Sequence, residues 1–145
     1  MFTRFVPAIA VSVAFAMAAG AFFDSTSIAA ESELDFEVFK SQVEPVFLKK
    51  REGVARCYQC HAGADNGLSL EPLSEGQTAW NEEQSRRNFE KISLIVVPGN
   101  TAESRLLIHP LAPEAGGDLF HSGGRQFKSK DDPDWRALAD WVNGG

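Results

Sequence analysis

The sequence predicts a small all-α domain whose N- and C-terminal helices pack against each other, and three observations predict it. Phe36, Phe39, Val43 and Phe47 recur at spacings of three and four, which lays them on one helical face. Trp135, Leu138 and Val142 do the same near the other end, with Trp141 beside them. Between the two lies Cys57-Tyr58-Gln59-Cys60-His61, which uses both cysteines of the chain. A Cys-x-x-Cys-His run is the attachment signature of a c-type haem.

That spacing has a physical reason. Two thiols separated by two residues can reach both vinyl groups of one porphyrin as thioethers. The histidine that follows is then held under the ring, where an imidazole nitrogen binds the iron. Cys57, Cys60 and His61 thus fix the ring, its orientation and one axial ligand together, and one motif means one haem c.

Other readings of the motif are weaker. A zinc site normally takes four ligands, whereas this chain offers two cysteines and three widely spread histidines. A thioredoxin-like Cys-x-x-Cys needs a βαβ pattern around it, and none is present. A disulfide spanning two residues would be strained.

The first 29 residues read as an export signal. Arg4 gives a short positive start, residues 5–23 are almost wholly apolar, and Ser27-Ile28-Ala29 offers a small-x-small cleavage site. Cleavage would leave residues 30–145, enough for one domain. About 18 apolar residues begin to suffice for a membrane span, so an uncleaved anchor over 5–23 is the alternative. Either way the domain is expected in the periplasm or another exported location, where bacteria attach haem covalently.

Removing Arg4 and Asp24 takes one charge of each sign, so the net charge of −6 is kept. An acidic surface disfavours nucleic acid and anionic lipid. It favours docking to a basic patch on a partner, although moderate net charge also simply keeps a small exported protein soluble.

Along the domain, Glu33, Asp35 and Glu37 sit where the dipole of the first helix favours them, and Pro45 should kink that helix. Lys49-Lys50-Arg51 reads as a solvated, basic helix end, with a docking patch or a contact to haem propionates as alternatives. Gly63, Asp65, Asn66 and Gly67 form a turn after the motif, and Leu68, Leu70 and Leu73 point apolar groups back to the haem. Residues 78–91 are partly helical. The run Ile92–Val97 is either a strand or a buried helix end. Asn100 with Glu103 resembles a capping box opening a short helix that His109-Pro110 stops. Residues 111–130 are irregular. Asp132 as N-cap and Pro133 at the first position open the last helix, and Gly144 ends it.

Taken in order, the Phe-rich first helix, Cys57-x-x-Cys60-His61, Gly67-Leu68-x-Leu70, Val97-Pro98-Gly99-Asn100 with Ser104-x-Leu106, and the closing Trp141-Val142 resemble the class I cytochrome c fold. More narrowly, the chain resembles the single-haem cytochrome c-like domains common in planctomycetes and acidobacteria, from about Phe36 to its end. The resemblance implies a Met-Pro-Pro loop before the last helix as the source of the second axial ligand. Here the sequence departs from the family: Met1 and Met17 both lie in the export signal.

With no methionine in the mature part, histidine is the expected replacement. His121 lies in the loop where the family's methionine would fall, and glycines on both sides let the backbone approach a flat ring. His109, at a helix end, is the second candidate; a lysine, a water or an open position are the others.

A bis-His iron should have a lower reduction potential than a His/Met one. A six-coordinate iron leaves small ligands no free position, which favours electron transfer between redox partners such as a dehydrogenase, an oxidase or another electron-transfer complex. The alternative is a peroxidase-like or gas-binding haem with an open distal site, where His121 and Arg125 act on the bound ligand. A third reading is a binding module with a structural haem. Arg56 and Arg125 are candidate propionate contacts, with surface arginines as the plain alternative, and Trp80, Trp135 and Trp141 read as packing residues.

Overall fold

The structure, a computed structural model, describes Met1 and residues 33–145; the export signal and its cleavage site fall outside the described residues. Among the described residues there are helices and turns but no strand, only three isolated bridges, so the all-α expectation holds. No described helix is long and apolar enough to cross a membrane.

The first helical run has three parts: α1 (Phe36–Val38), a π-helical turn (Phe39–Val43) and α2 (Glu44–Leu48). Asp35 caps it by accepting from the Val38 N–H at 2.8 Å. Pro45 explains the π turn. It has no N–H to offer Ser41, and its ring would crowd that carbonyl, so the backbone widens ahead of it. The expected kink is thus absorbed as a wider turn, and the apolar face survives: Phe39, Val43 and Phe47 are all buried.

α3 (Cys57–His61) carries the motif, α4 (Glu82–Ser93) follows, then α5 (Arg105–Ile108) and α6 (Pro133–Val142). The run Ile92–Val97 is the end of α4 and its exit turns, not a strand. Asn81 and Gln84 form a reciprocal capping box at the start of α4. Asp132 caps α6 through the N–H groups of Asp134 and Trp135, with Pro133 at the first position. Gly144, at φ +86°, closes it in the left-handed region.

The terminal helices do meet. The Phe39 ring lies 5.3 Å from Trp141 and 5.4 Å from Phe89 of α4, so one side chain joins the first, fourth and last helices. The Trp141 indole N–H donates to the Asp35 carbonyl at 2.8 Å, and the Gly99 N–H donates to the Val142 carbonyl at 2.7 Å.

Two readings are corrected by the fold. Asn100 caps only a turn, accepting from the N–H groups of Ala102 and Glu103, and α5 starts later with Ser104 at its N-cap. The buried Ser104 hydroxyl instead ties the Val97 N–H and the Asn100 carbonyl together. The basic run after α2 is a solvated helix end only at Lys49 and Lys50, which are exposed. Arg51 is mostly buried, pairs with Asp132 and Asp134 at the start of α6, and stacks over Phe127 at 4.7 Å, while Lys49 also pairs with Asp134. The acids capping α6 attract these cations more strongly than solvent does, because they are held together in a partly buried place.

Candidate functional site

α3 is a single turn, and its geometry follows from what holds it. The Leu70 N–H donates to the His61 carbonyl at 2.9 Å and the Gly63 N–H to the Leu70 carbonyl at 2.8 Å, so the loop after the motif folds straight back. The Tyr58 hydroxyl accepts from the Leu73 N–H at 2.9 Å and fixes the other side of the turn.

This loop also sets the His61 ring. Nδ1 lies 2.8 Å from the Leu68 carbonyl oxygen and 3.1 Å from Asn66 Oδ1. A carbonyl only accepts, so Nδ1 carries the hydrogen and Nε2 is left as the lone-pair nitrogen.

Facing α3 is the segment between α5 and α6. Its base is closed by the Ala112 N–H donating to the Phe127 carbonyl at 2.9 Å and the Gln126 N–H to the Pro110 carbonyl at 2.9 Å. Gly117 passes so close to Leu111 that an added Cβ would sit 2.0 Å from its carbonyl oxygen. Only glycine fits there. The closure brings His121 toward the motif, where its Nδ1 lies 2.5 Å from the Gly124 carbonyl oxygen. Its Nε2 is therefore free as well. Burial lowers the His121 pKa from the ordinary value, the Gly124 carbonyl opposing in part, and the ring stays neutral at pH 7.

The result is a cavity of about 290 Å³ into which Cys57, Cys60, His61, His109 and His121 all open. Phe47, Leu68, Ile95, Leu106, Phe127 and Leu138 supply apolar wall. Among the described residues its charged lining is cationic, from Arg56 and Arg105, with no carboxylate. Both cysteines are free thiols; Cys60 is exposed, and burial pushes the Cys57 thiol up to about 11.

The His61 and His121 rings lie 6.4 Å apart, centroid to centroid, with planes 19° from parallel. His109 stands at 89° to His121 with centroids 4.9 Å apart, and its Nδ1 is tied to Asp118 Oδ2 at 2.7 Å. Leu68 lines the cavity as expected, whereas Leu70 is buried in the core beneath it. Of the two arginines expected near propionates, Arg56 lines the cavity and Arg125 does not; Arg125 donates to the Leu119 carbonyl instead.

Arg105 was not legible as a site residue, since one arginine opening a four-residue helix carries no signal of where the turn will face. Among the described residues no group of three His, Cys, Asp or Glu side chains is arranged to hold a metal ion by itself. No family model, no curated protein and no solved structure matches the chain.

Proposed function

We propose that the chain is an exported, single-haem c-type cytochrome that passes one electron at a time between redox proteins. In this reading Cys57 and Cys60 would carry the haem through thioethers, and His61 and His121 would hold its iron. When bound, the group supplies one-electron ferric/ferrous chemistry.

The observation that carries the reading is the pair of imidazoles in one cavity with the two thiols. The two rings lie 6.4 Å apart with near-parallel planes, so both His61 and His121 would be in place to hold the iron. Each Nδ1 is held by a backbone carbonyl, which fixes tautomer and ring orientation and makes the free nitrogen a better donor. The apolar part of the lining would lower the polarity around the group, while Arg56 and Arg105 would offer charge-assisted hydrogen bonds to haem carboxylates.

His121 in this role argues for electron transfer over ligand chemistry, because it leaves no open position. The test is addition of carbon monoxide to the reduced protein and cyanide to the oxidised one. The reading expects a spectrum that stays low-spin and unchanged on mixing. A rapid shift with either ligand would overturn it in favour of a peroxidase-like or gas-binding site.

A further inference from the structure

One hydrogen bond does not fix the plane of an imidazole. The Gly124 carbonyl oxygen, 2.5 Å from His121 Nδ1, holds a single atom of that ring. A carbonyl accepts over a broad range of directions, and the last torsion of a histidine side chain is soft. The plane of His121 is therefore set by what packs against it.

Two of the described residues do so. The His109 ring stands at 89° to His121, with centroids 4.9 Å apart. It is itself braced, since its backbone N–H donates to the Arg105 carbonyl at 3.0 Å and its Nδ1 donates to Asp118 Oδ2 at 2.7 Å. The Asp118 N–H donates to the Ile108 carbonyl at 3.2 Å, so that carboxylate is anchored to the end of α5. Gly123 stands at the Cε1 side of the His121 ring, where an added Cβ would come 3.2 Å from Cε1 and 3.7 Å from Nδ1. Its φ lies outside the left-handed region, so the crowding there comes from the ring and not from the backbone. Gly123 is pinned in turn, its carbonyl accepting from the amide of the buried Gln126 at 3.3 Å.

We infer that His109, braced by Asp118, and Gly123 together hold the plane of the His121 imidazole and so keep it within 19° of the His61 plane. The inference rests on the proposed axial pair and adds positioning residues to it. It makes His109 a brace, where the sequence offered it as a rival ligand.

Ring planes have their own readout. Two imidazoles holding one iron would donate π density in directions set by their planes. Parallel planes would act on one iron d orbital of π symmetry and split it from its partner, whereas crossed planes would act on both alike. In the ferric low-spin state a large splitting gives a rhombic paramagnetic resonance spectrum, and a small one drives the highest g value upward. Loss of stability alone does not move these g values.

The test takes the oxidised, haem-loaded protein, its covalent haem first established by mass. Low-temperature paramagnetic resonance at constant pH compares the parent with His109→Ala, Asp118→Ala, Asp118→Asn and Gly123→Ala. The parent should be low-spin and rhombic. His109→Ala and Asp118→Ala should stay low-spin with the highest g value raised and its line broadened, because a freed ring samples other planes. Gly123→Ala should shift the g values by pressing on the ring. Asp118→Asn, whose amide oxygen still accepts from His109 Nδ1, should keep the parent spectrum. A low-spin parent of the crossed type, g values unmoved in His109→Ala and Gly123→Ala, or an Asp118→Asn spectrum as disturbed as that of Asp118→Ala would overturn the brace and leave the axial pair standing. A high-spin parent, or one without haem, would end both.

Discussion

The imidazoles of His61 and His121 face one cavity from opposite segments of the chain, 60 positions apart, with planes only 19° from parallel. One is oriented by the Leu68 carbonyl and the other by the Gly124 carbonyl. Neither orientation depends on the other ring, so each can be tested alone.

His121→Ala should convert the low-spin spectrum of the haem-loaded protein to high-spin while the haem stays attached. His109→Ala should keep the low-spin spectrum, because His109 stands perpendicular to His121 and is engaged by Asp118. Absorption and paramagnetic resonance spectra of both variants check this. The opposite outcome would move the ligand to His109.

Gly124→Ala should cost about 1–2 kcal/mol, because φ is +83° there and an L residue clashes in that region. An added Cβ would also sit 3.1 Å from Val54. As the Gly124 carbonyl aims His121, a high-spin fraction should appear alongside the loss of stability. Denaturant unfolding and the spectrum read the two effects separately.

Phe39→Ala should destabilise the domain by about 3–5 kcal/mol. The Phe39 side chain is wholly buried and in ring contact with Phe47, Phe89 and Trp141, so the cavity left behind is walled by rigid rings that cannot collapse into it. Urea unfolding of haem-loaded protein measures the loss.

Glu44 sets a pH dependence. It is buried in α2, where burial raises its pKa from the usual carboxylate range and hydrogen bonding from Ser85 and Asn88 offsets this only in part. A carboxyl whose folded pKa is raised opposes folding once it ionises, and the penalty is absent below its unfolded value. Glu44→Gln should therefore gain stability relative to the parent as pH rises from about 4 to 7. Unfolding curves of both proteins across that range give the slope; a difference that stayed constant or fell would refute the assignment.

Local signals were read well from the sequence and long-range ones poorly. Asp132-Pro133 and Gly144 bounded α6 because a cap is a contact within three residues. The Phe36–Phe47 face was legible because periodicity survives even the π turn that Pro45 forces. By contrast, Lys49 and Arg51 find their acids more than 80 positions away, and no local pattern announces such a pairing. Asn100 and Glu103 matched a capping box, but only its first half forms: Asn100 accepts from the Glu103 N–H, while the Asn100 N–H goes to the Val97 carbonyl and not to the Glu103 side chain. Within the site, His61 followed from the motif itself. His121 entering the same cavity depended on the closure of residues 111–127, which depends in turn on Gly117 passing against Leu111.

A covalent bond from Cys57 and Cys60 to one haem would add the mass of that haem to the chain, which intact mass measurement reads. Protein made in a host that exports it and attaches haem, then extracted with acidic acetone, should keep the added mass of one haem on the peptide holding residues 57–61. A chain of unmodified mass after extraction would mean that Cys57 and Cys60 carry no haem.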